Sequence, residues 1–390
     1  MTRRKLTIGV LTGGGDVPGL NSCIRALTYR ALDDGNEVVG IRRGWAGLVE
    51  VEPGEPESRE RHTMSLDRRG VRTVDRYGGT FLHTSRTNPT KMRRRKLPPH
   101  LQERFGHGDA EDSVDVVEAV AGNLRALGLD QLVAIGGDDT LSVAAQLDAM
   151  GYPVLAVPKT MDNDVHGTDY CIGFSTAVTR SVNFINDLRT PVGSHERIAV
   201  IEVFGRYSGE TALFAGYLAS VDRTIIAEVP FDPDRLSDLL AEDKAHSPSH
   251  YAILVISEGA RPTDGQMQLS GEADAYGHRK LGGIGDWIGA WIRKRSGEEI
   301  LVQKLAYLMR SGPPDSLDRL VAYNFGNMVY DRIQEGVSGE LMAIQSGCYT
   351  TVPVRTLAEG KRSVDVAAFY DTEHYRPKIS GVRGKPMFLY

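Results

Sequence analysis

VLAVPKTMDND, Val154 to Asp164, and VAIGGDDT, Val133 to Thr140, are short apolar runs that each break off into polar residues. In an open α/β sheet, strands that end this way deliver their last side chains to the crevice outside the carboxyl edge, where ligands bind. The earlier run carries Asp138 and Asp139 to that edge, and the later one carries Lys159, Thr160, Asp162 and Asp164. Four carboxylates and one ammonium at neighbouring strand ends repel one another unless something cationic or proton-poor is held among them. A divalent metal with phosphate oxygens meets that requirement, because hard cations choose carboxylate ligands and bridge phosphates.

The same grammar extends in both directions. Leu6 to Leu11 is a buried-strand run that TGGGDVPGLN, Thr12 to Asn21, turns into a helix over about Ser22 to Leu32. Strand, glycine turn and helix form a phosphate cradle: glycines let backbone N–H groups approach an anion, and the helix N-terminus adds partial positive charge. The spacing meets neither the dinucleotide nor the Walker fingerprint, so by itself the turn is equally a tight connection. Glu37 to Ile41 reads as a strand closed by RRGWAG, and Asp75 to Pro89 as a loop in which Arg86 is a forked cation. Residues 90–112 run basic, then Pro-rich, then acidic, as a surface insertion does. Helical spacing over Ser113 to Leu127 and Thr140 to Met150 brackets the Asp130 to Gly137 strand.

In the second half, helices are expected over Phe174 to Leu188, Ser208 to Leu218 and Leu236 to Ala245. Strands are expected over Arg197 to Val203, Thr224 to Val229 and Tyr251 to Ser257. Ile284 to Arg295 and Asp315 to Glu335 are further helices. Alternation of this kind means parallel, doubly wound sheets with right-handed crossovers. The expected fold class is α/β, with two Rossmann-like αβα lobes and the site in the cleft between their carboxyl edges. The lobes are divided as 1–173 plus about 308–350, and 174–307 plus about 351–390.

The chain has 390 residues, 41% hydrophobic and 25% charged, enough to bury two cores. A net charge of −5 argues against a general nucleic-acid or membrane binder. KMRRRK, Lys91 to Lys96, is the one basic run and reads as solvated surface. Cys23, Cys171 and Cys348 are far apart and form no CxxC pair, so they read as reduced packing residues rather than a disulfide framework or zinc site. MTRRK leads straight into an apolar strand, and no stretch approaches the roughly 18 to 20 apolar residues of a membrane span, so the cytoplasm is the expected location.

Seven blocks in order, GGGDVPGLN, GGTFLHTSRTNP, GGDDT, PKTMDND, GSHERIAVIEVFGR, VISEG and YLMRSG, resemble the phosphofructokinase family, spanning about Gly13 to Gly312. The likeness is weakest at residues 90–112 and beyond about Val352, where only closing phrases such as KPMFLY match. The resemblance implies a magnesium-dependent phosphoryl transfer to the 1-hydroxyl of fructose 6-phosphate. Asp162 would be the base that takes the hydroxyl proton, with Thr160 and Asp164 beside it, and Asp138 would hold magnesium. Gly15 would offer its backbone to the donor and Arg86 would bridge donor and acceptor phosphates. Arg206, Glu258 and Arg310 would hold the sugar phosphate among Phe204, Gly205 and Tyr307. Arg197 would reach in from a neighbouring subunit of a homodimer or homotetramer, isologous dimers being the commonest closed assembly.

A plainer role stands beside each of these, since lone Asp and Arg residues on loops are mostly surface or capping groups. Asp164 is equally a cap for the segment after Asn163. Glu202, inside a strand run, reads as a satisfied structural carboxylate. His83 and His195 read as hydrogen-bonded fillers, and Trp45 as packing.

Four positions depart from the family's common pattern. Tyr307 replaces a histidine in the sugar-phosphate block, and Leu301 stands where many relatives carry an arginine, with Lys304 a candidate substitute. These changes leave sedoheptulose 7-phosphate or another ketose phosphate open as acceptor. Relatives that use ATP usually carry glycine at the places of Asp139 and Lys159. A carboxylate at Asp139 would repel a nucleotide's α-phosphate, and Lys159 would supply a point charge to the transferring phosphoryl. Both favour inorganic pyrophosphate as donor, with ATP the alternative. A non-catalytic paralogue and a nucleotide-binding kinase of the NAD-kinase type are readings of other kinds. The full residue set speaks against the first, and the SHER, FGR and YLMR blocks against the second.

Overall fold

Two sheets organise the chain. The computed structural model describes residues 4–263, 265, 269–270, 280–281 and 283–387. The larger sheet has seven strands in the order Cys348–Pro353, Glu340–Gln345, Val154–Pro158, Gln131–Gly136, Thr7–Thr12, Glu37–Ile41 and Thr63–Ser65. The smaller has four, in the order Ile300–Lys304, Ile198–Val203, Ala252–Ser257 and Arg223–Ile225.

Strand composition explains both sheets. In Gln131–Gly136 every residue is buried, and alternate side chains serve opposite faces. Leu132 and Ala134 join one core with Leu141 and Leu147, whereas Val133 and Ile135 join the other with Ile24 and Phe325. The smaller sheet repeats this: Ile198 and Val200 pack with Leu236 and Ile288, Ala199 and Ile201 with Ala212 and Ile185. A strand buried on both faces belongs in a parallel sheet covered by helices on both sides.

The ligand edge comes from strand order. Thr7–Thr12 continues to Glu37–Ile41 on one side, while Gln131–Gly136 adds on the other, so the order reverses between Thr7–Thr12 and Gln131–Gly136. The smaller sheet reverses between Ile198–Val203 and Ala252–Ser257, since the chain leaves the first towards Arg223–Ile225 and the second towards Ile300–Lys304. Such switch points open a crevice at the carboxyl ends of the strands.

Several expectations need correction. The larger sheet is mixed, because Thr63–Ser65 and Cys348–Pro353 add antiparallel at its two edges. Ser346 and Gly347 have φ of 51° and 79°, the twist that a two-residue hairpin turn between such strands demands. RRGWAG opens a helix, Trp45–Glu50, and Trp45 is core as expected. Ser113–Val114 pairs with Met92–Arg93 as a strand, so the next helix begins only at Val117. The insertion of residues 90–112 is more than surface: Leu97 and Leu101, the latter in the helix Pro99–Phe105, are buried in the main core. Its basic run is met by its own acidic end, Arg93 and Arg95 each lying 3.1 Å from Glu111. The helix from Phe174 runs on to Ser194 despite Pro191. Cys23 and Cys171 are buried, but Cys348 is exposed in the edge hairpin.

The C-terminal segment connects the sheets. Val354 is buried in a core of the larger sheet, while Val364, Phe369, Tyr370 and Tyr375 are buried in one of the smaller. The Tyr370 hydroxyl donates to the Thr224 carbonyl at 2.6 Å. KPMFLY ends outside the described residues from Phe388 onward.

Candidate active site

A cavity of about 530 Å³ lies between the two sheets' carboxyl edges. One wall is the glycine turn after Thr7–Thr12. Gly13 donates to the Ile135 carbonyl at 3.0 Å and Gly14 to the Ser85 carbonyl at 3.1 Å, so the turn hangs from two neighbouring segments. Gly14 has φ 75°, and a Cβ at Gly13 would stand 2.5 Å from the Thr140 hydroxyl oxygen, so neither position tolerates a side chain. Beside the turn, Asp138 and Asp139 form the first turn of the helix Asp138–Ala149, where exposed N–H groups favour negative charge.

The stretch after Val154–Pro158 forms the floor. Lys159 is 3% exposed and its ammonium donates to the Gly15 carbonyl at 2.5 Å. The Asp162 N–H donates to the Thr160 hydroxyl at 3.2 Å. Asn163, at φ 54°, pins the turn: its side-chain oxygen accepts from Cys171 N at 2.7 Å and its amide donates to the Asp169 carbonyl at 3.1 Å. The opposing wall comes from the smaller sheet. Phe204 and Arg206 come after Ile198–Val203, Glu258 after Ala252–Ser257, and Tyr307 and Arg310 after Ile300–Lys304. The Phe204 and Tyr307 rings meet edge to face at 5.9 Å, and the Arg310 guanidinium sits 4.7 Å from the Tyr307 ring centre.

This crowding of charge shifts protonation. Burial pushes Asp162 well above the ordinary carboxylate range, and Asp164 and Glu258 push the same way. Burial, then the neighbouring Asp164, raises Asp138 to about 7. Glu258 rises to about 7 through burial, although Arg206 opposes it. Lys159 falls to about 8, chiefly through burial and secondly through Arg310. One carboxylate oxygen each of Asp138 and Asp162 is buried without a hydrogen-bond partner. A divalent cation at the first and a hydroxyl proton at the second are the groups such oxygens accept. Among the described residues no cluster of three or more His, Cys, Asp or Glu side chains could hold a metal unaided.

Of the residues singled out from the sequence, Gly15, Arg86, Asp138, Asp139, Lys159, Thr160, Asp162 and Asp164 line the cavity from the larger sheet's side. Phe204, Arg206, Glu258, Tyr307 and Arg310 line it opposite. Arg310 is drawn towards the glycine turn, 3.3 Å from the Asp16 carboxylate. Two do not line it. Gly205 lies beneath, at φ 142°, its carbonyl taking the Ser257 hydroxyl at 2.5 Å, and Arg197 lies just before its strand and away from this cavity. Glu202 lines the cavity as a satisfied carboxylate, accepting from Gly285 N at 2.8 Å. Lys304 also lines it and pairs with Asp286 at 2.5 Å. Sequence reasoning missed Lys361, which lines the cavity from the C-terminal segment, and Arg362 behind it.

Comparison with known proteins adds names to this geometry. The family model described as phosphofructokinase matches residues 7–333. A pyrophosphate–fructose 6-phosphate 1-phosphotransferase of Streptomyces coelicolor is 36% identical over 367 residues, covering 93% of this chain and 98% of its own. ATP-dependent 6-phosphofructokinase 3 of the same organism is 34% identical over 370 residues, covering 94% and 99%. Among solved structures, a pyrophosphate-dependent phosphofructokinase from Marinobacter aquaeolei superposes with a TM-score of 0.74 at 17% identity, covering 96% of this chain and 89% of that one, a likeness of fold.

Proposed function

This chain belongs to the phosphofructokinase family, and from that premise we propose that it transfers a phosphoryl group from inorganic pyrophosphate to the 1-hydroxyl of fructose 6-phosphate, giving fructose 1,6-bisphosphate and orthophosphate. The observation that carries this reading is the convergence on one cavity of a recessed Asp162, a buried Lys159 and the carboxylate Asp139. Phosphoryl transfer asks for in-line positioning, charge neutralisation and a carboxylate near the attacking hydroxyl, with little covalent work by the protein.

In this reading Asp162, one of whose carboxylate oxygens is buried without a hydrogen-bond partner, accepts the hydroxyl proton as the oxygen attacks phosphorus. Lys159 and Arg86 neutralise the transferring group, and the Gly15 backbone cradles the donor. Arg206, Glu258, Tyr307 and Arg310 orient the sugar phosphate, and Lys304 supplies a cation at the end of Ile300–Lys304 where Leu301 carries none. Asp138 would hold magnesium, whose charge, when bound, offsets that of the phosphates. The donor lobe is taken as residues 1–173 plus about 308–350 and the sugar-phosphate lobe as 174–307 plus about 351–390, although the strand Cys348–Pro353 and Val354 go with the larger sheet and its core, which moves the second boundary towards Val364. Arg197, distant from its own chain's cavity, serves a second copy in a homodimer or homotetramer. No helix among the described residues is long and apolar enough to cross a membrane, and we take the enzyme to work in the cytoplasm.

ATP as donor is the alternative, the donor named for the 34% identical relative but not for the 36% identical pyrophosphate-dependent one. Forward assays with pyrophosphate or ATP as sole donor, and a reverse assay with orthophosphate, separate them. Pyrophosphate-driven transfer runs readily both ways; a higher kcat/KM for ATP would overturn the donor assignment while leaving Asp162 in place.

A further inference from the structure

Lys361 lies in the segment after the large sheet, 28 residues beyond the end of the family match at residue 333. Its ammonium stands 3.5 Å from the Asp138 carboxylate and 4.4 Å from the centre of the Tyr207 ring. A lysine with 42% of its side chain exposed is ordinarily a solvated surface group. Here the backbone leaves it little choice. Lys361 bridges antiparallel to Val165, directly after the Asp162–Asp164 turn, and the Arg362 N–H donates to the Asp164 carbonyl at 3.1 Å. The Arg362 guanidinium then bolts the strap down: it donates to the Asp169 carbonyl at 2.6 Å and to the Asn163 carbonyl at 3.3 Å, and pairs at 3.1 Å with Glu210, which is 1% exposed. With Arg362 anchored below, the Lys361 side chain is delivered over the face of Tyr207 to the carboxylate at the donor end of the cavity.

We propose that Lys361 is a donor-binding residue, its ammonium holding the phosphate of pyrophosphate that is not transferred. This deepens the proposed function and rests on its choice of pyrophosphate. The physical reason is competition for one carboxylate. Asp138 cannot keep the ammonium as its partner and also hold a divalent cation closely, because the two positive charges repel. A polyanion arriving with the cation gives the displaced ammonium a stronger partner than the carboxylate it leaves. Lysine suits that exchange, being a compact point charge on a flexible stem.

Competition predicts two effects of opposite sign in Lys361→Met. Titrated calorimetrically with magnesium alone, the full chain should bind the ion severalfold more tightly, because Asp138 has lost a rival. Titrated with pyrophosphate at fixed magnesium, it should bind roughly ten- to a hundredfold more weakly, the usual loss for a hydrogen bond to a charged group. In kinetics the KM for pyrophosphate should rise by a like factor while the KM for fructose 6-phosphate stays within about twofold, and Lys361→Arg should recover most of the loss. Thermal unfolding of each variant checks that the strap stays docked. Pyrophosphate affinity unchanged in Lys361→Met, or both substrates weakened together with a fall in Tm, would overturn the proposal. Wild type that binds ATP but not pyrophosphate would instead sink the donor reading; the same comparison made with ATP then decides Lys361, an unchanged ATP affinity overturning it.

Discussion

The Lys159 ammonium donates to the carbonyl of Gly15 at 2.5 Å, joining the floor of the cavity to a glycine turn 144 residues earlier. One bond therefore ties the glycine turn to the cavity floor and holds a positive charge that is nearly shut off from solvent. Burial, with Arg310 adding to it, lowers the ammonium to about 8, so the charge needed for phosphate binding is present below that pH and lost above it. Because kcat/KM reports ionisations of the free enzyme, kcat/KM for pyrophosphate should show an alkaline limb near about 8, shifted upward in Lys159→Arg. A profile flat to pH 9 would argue against Lys159 as the donor's cation. The same lowering means the unfolded chain holds one more proton than the native one between about 8 and 10.5, so this group's contribution to stability rises with pH across that window.

Asp162→Asn should fold with wild-type Tm and lose about 10² to 10⁴ in kcat, the range of a general-base contribution. Its KM values should change little, since the amide keeps the shape and removes only the proton acceptor. Stopped-flow measurement of both substrates tests this; turnover within a factor of ten of wild type would remove Asp162 from the role.

The sheets and the cavity's main walls were legible because their signals are local. Apolar runs such as Val154 to Val157 must be buried on both faces, and the polar residues that end them can only face the crevice. The edges were less legible. Gln345–Cys348 carried a hairpin signal in its Ser-Gly pair, which weighs little inside a chain that otherwise alternates strand and helix. Asn163 stands between two aspartates whose charge is the louder signal, and its positive φ is visible only once Cys171 and Asp169 close the turn around it. Lys361 and Arg362 had no local signal. Their meaning comes from Val165, Glu210 and Asp138, between about 150 and 220 residues away in sequence, and a lysine–arginine pair in a polar loop looks like any solvated surface.

Arg362→Ala should be strongly destabilising for a side chain so near the surface of its segment. It takes the guanidinium from Glu210, which is 1% exposed and whose other contacts include the neutral Asn163 amide at 3.2 Å; breaking a buried pair by removing one partner costs about 3–5 kcal/mol. Urea unfolding measures it. Glu210→Gln combined with Arg362→Met should recover part of the loss, because no buried charge of the pair then remains uncompensated. Near-additive single and double effects would show that the two side chains are not coupled.

The donor preference should reverse at Asp139. Its carboxylate lines the cavity beside Asp138 in the first turn of the helix Asp138–Ala149, where a helix N-terminus favours negative charge. In the proposed reading pyrophosphate would end short of that carboxylate, whereas a nucleotide's α-phosphate would have to pass it. At about 4 Å and an effective dielectric near 20 the repulsion is on the order of 4 kcal/mol before salt and relaxation reduce it, and even half of that is roughly a thirtyfold bias. Asp139→Gly should therefore raise kcat/KM for ATP by at least about tenfold and change that for pyrophosphate far less, whereas Lys159→Gly should cripple pyrophosphate turnover. Because exposed charges are screened and close ones less so, the ATP gain should shrink at high salt. An Asp139→Gly enzyme whose ATP activity stays at the wild-type level would mean that nucleotide is excluded by shape elsewhere in the cavity and not by this charge.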